Sequence, residues 1–130
     1  MAEGAKTFFS KELSELEHNI QRLENALRNY DSDDPHSKGL RLELETVRKN
    51  RELVEELAAY AHDPAMALLQ GRIKQRQIES EHAESRDGSA ESVLRSDKWW
   101  DTLSQAQYLS DLNRRMEEWI KAHPDVLNHH

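Results

Sequence analysis

The chain has 130 residues, enough for one domain, and 36% of them are apolar, so any core is thin for this length. A formal charge of −7 argues against a general attraction to nucleic acid or to an anionic membrane. The absence of cysteine removes disulfides, thiolate nucleophiles and Cys-based zinc or iron–sulfur sites. Leu occurs 16 times against eight Ile plus Val, and Ala, Glu, Lys, Leu and Arg make up 62 of the 130 residues. That balance predicts an all-α chain built from long helices. No run of 18 apolar residues occurs, and Met1 to Lys6 lacks a basic stretch leading into an apolar one. The expectation is a soluble, unexported, cytoplasmic protein.

In chain order, Phe9, Leu13, Leu16, Ile20, Leu23, Leu27 and Tyr30 alternate steps of four and three, a heptad seam about 30 Å long on a helix. Thr7 or Ser10 is expected to cap its start. Glu12, Glu15, Glu17 and their neighbours are expected to cover its outer surface with charge. Asp31 to Ser37, with Pro35, reads as a terminator. A second helix is then expected from near Ser37, carrying Leu40, Leu44, Val47, Arg51, Val54, Ala58 and Ala61 on the same alternation. Two seams of equal length predict an antiparallel, coiled-coil-like hairpin over residues 9–61. Leu42, Leu53, Leu57 and Tyr60 widen the second face beyond what one helix covers, so a third surface must meet it. Arg51, set within the seam, is expected to pack its stem and send its head to solvent, or else to set register.

Asp63 and Pro64 predict the N-cap and first position of a third helix over 64–84, apolar at Met66, Leu68, Leu69 and Ile73 and then running out of core. Residues 85–96, polar and small, read as a mobile linker. Ser96 or Asp97 should cap a Trp-bearing helix over 97–123. On it, Trp99, Leu103, Ala106, Leu109, Leu112, Met116 and Ile120 form one face, with Trp119 at the margin and Trp100 and Tyr108 projecting elsewhere. His123-Pro124 ends it, before a frayed tail.

Motifs for chemistry are sparse. Glu15 with His18, and Glu79 with His82, have the i, i+3 spacing that can share a metal, but both lie among polar residues and no His-Glu-x-x-His occurs. No nucleophile elbow, Walker loop or dinucleotide fingerprint is present, so the chain reads as non-catalytic and without cofactors. Arg72, Lys74 and Arg76, among Gln70, Gln75 and Gln77, form the longest basic stretch and support an alternative reading as a nucleic-acid-binding accessory protein. Against it, Lys74 points away from Arg72 and Arg76, and Glu79, Glu81 and Glu84 follow.

The adjacent Trp99 and Trp100 point about 100° apart on a helix, so both are hard to bury in a small bundle. Trp99, Trp100, Tyr108 and Trp119, with Leu53 and Leu57 on the surplus face, are the candidate partner-binding residues. The predicted protein is a single all-α domain that binds another protein or itself, most economically as a homodimer of hairpins, in the manner of a small adaptor, chaperone, inhibitor or regulator of a larger bacterial or phage complex. In architecture alone the hairpin resembles prefoldin-like chaperones. It also resembles secreted helical hairpins that carry Trp-x-Gly in the turn, where this chain runs from Asp31 to Gly39 without Trp.

Overall fold

The structure, a computed structural model, describes residues 4–85 and 97–128. Among them all regular structure is helical: α1 Lys6–Leu27, α2 Pro35–Ala58, α3 Pro64–Glu84, α4 Asp97–Ala122 and a 3₁₀ turn Pro124–Asn128. The fold is an all-α bundle of two antiparallel hairpins, α1/α2 and α3/α4. Glu17 pairs with Arg51 and Glu24 with Arg48 across the first. Arg72 pairs with Glu117, and Asn113 with Gln75, across the second. Of the expected linker, residues 86–96 lie outside the described residues, and Ser85 is the C-cap of α3.

The boundaries differ from expectation where the chain uses its backbone instead of a side-chain cap. Thr7 and Ser10 lie inside α1, whose cap position, Ala5, makes no side-chain cap bond. Ala5 N–H instead donates to the Ala61 carbonyl at 2.7 Å, tying the start of α1 to the turn between α2 and α3. Gly4 allows this approach, since it takes φ +61° and a Cβ there would stand 2.1 Å from Ala61 O. At the other end, the expected terminator is also an initiator: Pro35 is the first residue of α2, and Asp34 caps it by accepting from His36 N–H at 2.9 Å. Tyr30 falls outside α1 and stacks on His36, ring centroids 5.7 Å apart. Asp63 caps α3 as expected, accepting from Met66 N–H at 3.3 Å.

The core has two parts. Ile20, Leu23 and Leu44, with Leu27, Leu40 and Val47 against them, continue the two-helix seam toward the hairpin turn. Beyond it, Phe9, Leu16, Val54, Leu57, Ala67, Ile78, Leu109, Leu112 and Met116 bring all four helices together. The surface that meets the wide face of α2 is therefore α3/α4 of the same chain. Leu57 is 1% exposed and Leu53 packs against the same cluster, so this part of the surplus face is covered within the chain, while Tyr60 stays exposed and Leu42 lies outside the cluster. Burial of a Leu of this kind contributes about 1.5–3 kcal/mol.

The third helix does not run out of core, because Ala67 and Gly71 let α4 approach closely and Ile78 extends the contact. Ala67, Gly71 and Ile78 are buried, and a Cβ on Gly71 would lie 2.2 Å from Asn113 Oδ1 and 3.1 Å from Met116 Cε. Met66, Leu69 and Ile73, expected to begin the core, lie on the exposed side of α3. Leu68 is the member of that group that packs.

Candidate functional site

The N-terminal turn of α4 is positioned by one carboxylate. Asp101 accepts from Thr46 Oγ1 at 2.7 Å and Lys49 Nζ at 2.6 Å, both on α2, and from Gln105 Nε2 at 3.0 Å. Burial works to raise the Asp101 pKa, but the bonds from Lys49, Thr46 and Gln105 outweigh it and hold the carboxyl below its ordinary value. The bond to Asp101, opposed by burial, holds Lys49 above the usual lysine range. Asp97, in the first turn of α4, adds a negative charge where the helix dipole favours one.

With that turn fixed, the two tryptophans separate as their 100° offset requires. Trp99 is half-buried beside His82, ring centroids 5.2 Å apart, and His82 Nδ1 bonds Thr102 Oγ1 at 2.9 Å. Trp100 meets Trp99 edge-on at 4.7 Å and is 52% exposed. Between Trp100 and α2 lies an open cleft of about 570 Å³ walled by Leu42, Thr46 and Val47 on one side and Trp100 and Ser104 on the other. Leu42, Val47 and Trp100 give its lining apolar area, and Glu43, Glu45, Asp97 and Lys98 give it charge, the mixture of a recognition surface.

The remaining predicted residues are not gathered there. Tyr108 is half-buried, and its hydroxyl donates to Glu12, which Arg115 also grips through Nη1 at 2.7 Å and Nη2 at 2.9 Å. Glu12, expected on the surface, is 6% exposed. Burial alone would push its pKa up, yet the hydrogen bonds from Arg115 and Tyr108, with the Arg115 charge, bring it below the ordinary value. Burial and the Glu12 contact drive the Tyr108 hydroxyl far above its usual range. Tyr108 is a strut between α1 and α4 rather than an anchor facing outward. Trp119 is half-buried against Phe8, 6.2 Å between centroids, and stacks on His123 at 4.2 Å. Leu53 and Leu57 belong to the core.

The basic stretch on α3 is divided. Arg72 reaches across to Glu117 on α4 at 3.1 Å, Lys74 reaches the other way to Glu56 on α2 at 2.9 Å, and Arg76 is exposed. Two of the three charges are matched within the molecule, on opposite flanks of the helix. Among the described residues no group of three or more His, Asp or Glu side chains is placed to hold a metal ion. No helix of the described residues is long and apolar enough to cross a membrane.

Sequence reasoning missed two features of the surface. The outward stripe of Met66, Leu69 and Ile73 has the i, i+3, i+7 spacing of a helix face, but spacing does not say whether the face points in or out. Leu42 was legible as surplus to the hairpin seam, while its position opposite Trp100 depends on how α4 docks. No protein-family model matches the chain, and neither a curated protein nor a solved structure matches it.

Proposed function

We propose that the protein is a non-catalytic protein-binding module, an adaptor or regulator, whose contact surface is the cleft between α2 and the start of α4. The observation that carries this reading is the placement of a half-exposed tryptophan, Trp100, on the wall of an open cleft with Leu42 and Val47 opposite. Trp is the residue most enriched at interface hot spots, because one ring brings a large rigid area with little entropy to lose. The thiol-free chain fits action in a reducing compartment, and we place it in the cytoplasm.

The test is capture by the immobilised full chain, comparing the parent with Trp100→Ala and with Leu69→Ser. A protein retained by the parent and by Leu69→Ser, but lost by Trp100→Ala at a nearly unchanged melting temperature, supports the cleft. Loss through Leu69→Ser alone would transfer the function to the outer face of α3. A large fall in melting temperature for Trp100→Ala would assign that ring to the fold.

A further inference from the structure

Resting on the proposed function, we infer that the occupant of this surface is a basic amphipathic helix of a partner protein, laid along the face of α2 between the hairpin turn and Trp100. A second concavity, of about 530 Å³, lies at the turn and is bordered by Tyr30, Pro35, His36, Gly39 and Leu40. Glu43 borders both concavities, so together they follow one side of α2 over residues 35–49, about 21 Å of helix. That length matches four turns of a docked helix, the mode in which an apolar stripe seats in a groove at i, i+3, i+4 and i+7.

The apolar contacts and the charges specify different properties of the partner. Leu40, Leu42 and Val47 line the groove, with Tyr30, 43% exposed, beside the turn and Trp100 beside α4. Gly39 leaves it open near the turn, since a Cβ there meets nothing within 4 Å. Glu43, Glu45, Asp97 and Asp101 border the cleft, against Lys49 and Lys98. Lys49 is taken by Asp101 at 2.6 Å and shared with Glu45 at 3.5 Å, and Arg22 reaches Glu43 only at 4.0 Å across exposed surface. With Asp101 and Lys49 matched to each other, Glu43, Glu45 and Asp97 remain against Lys98, an excess of carboxylates on a chain whose formal charge is −7. Lys and Arg on the flanks of an apolar stripe complement it, and an acidic helix of the same apolar pattern is repelled.

The probes are two synthetic helical peptides of about 15 residues with one leucine pattern, the first carrying Lys and the second Glu at every flanking position. Each is titrated into the full chain while backbone amide and indole resonances are followed. The expected result is that the Lys peptide shifts residues 35–49 and the Trp100 indole, and the Glu peptide does not. Gly39→Leu, which fills open space on a helix, should weaken the Lys peptide about tenfold with helicity retained, and Glu43→Lys with Glu45→Lys should reverse the preference. Equal binding of both peptides overturns the charge assignment. Shifts centred on Met66, Leu69 and Ile73 overturn the groove. If neither peptide binds while protein capture still depends on Trp100, the basic helix is wrong and the proposed function stands; if capture is also insensitive to Trp100, both fail.

Discussion

Glu12 illustrates what a single side chain can do in a bundle with few apolar residues. It lies on the margin of the α1 seam, where a carboxylate is normally solvated, yet Tyr108 and Arg115 of α4 enclose it. Glu12→Ala takes the acceptor from the half-buried Tyr108 hydroxyl while Arg115 keeps Asp111 at 2.8 Å, so it should destabilise the fold by about 1–3 kcal/mol in urea unfolding. Tyr108→Phe, which removes one neutral donor, should cost about 1 kcal/mol. The pH dependence follows from the direction of the shift. The folded carboxyl has a lower pKa than the unfolded one, so its contribution is complete above the unfolded value of about 4.3 and is lost as pH falls through the folded value. Stability measured from neutral pH down to about pH 3 should therefore fall less steeply in Glu12→Gln than in the parent. An equal slope would show that Asp34, Asp101 and Asp111, all also held below their ordinary value, carry the acid sensitivity instead.

At the scale of elements, the two hairpins are held by different means. The α1/α2 seam is made of large side chains at heptad spacing, and each partner position can be written down from the chain. The α3/α4 contact is made by close approach at Gly71, with Asn113 buried against it and donating to Gln75 Oε1 at 2.8 Å. Two glycine substitutions separate these cases. Gly39→Ala, in open space on α2, should stabilise by about 0.5–1 kcal/mol through helix propensity. Gly71→Ala must displace Asn113 and Met116, and the overpacking should cost about 1–3 kcal/mol despite the same propensity gain. Thermal unfolding reads both, and a stabilising Gly71→Ala would mean that α3 and α4 can move apart without penalty.

For the whole molecule, the packing of α3/α4 onto α2 occupies Leu53 and Leu57, two of the four residues that hairpin dimerisation would use. Light scattering on the eluted protein should accordingly give the chain mass of 15.2 kDa at moderate concentration. A dimer abolished by Leu69→Ser would instead identify the outer face of α3, where Leu69 is 51% exposed, as a self-contact. The charge distribution makes a parallel statement about nucleic acid. With Arg72 and Lys74 already paired to Glu117 and Glu56, a gel-shift assay at low salt should show no salt-sensitive complex. A shift abolished by Arg72→Ala with Arg76→Ala would restore the alternative reading.

Local pattern in the chain was enough to specify the helical class, the α1/α2 hairpin, the Asp63-Pro64 start of α3 and the separation of Trp99 from Trp100. These are consequences of local periodicity, of capping chemistry and of the 100° step between neighbours on a helix. Which faces meet is set by the packing of the four helices. Met66, Leu69 and Ile73 have core spacing and face outward, Gly71 and Ala67 look featureless and make the contact, and Tyr108 turns inward because Glu12 and Arg115 await it. The physical reason is that hydropathy records what a side chain gains by leaving water. A close helix crossing and a buried ion pair depend instead on shape and on partners distant in the chain, which no single segment encodes.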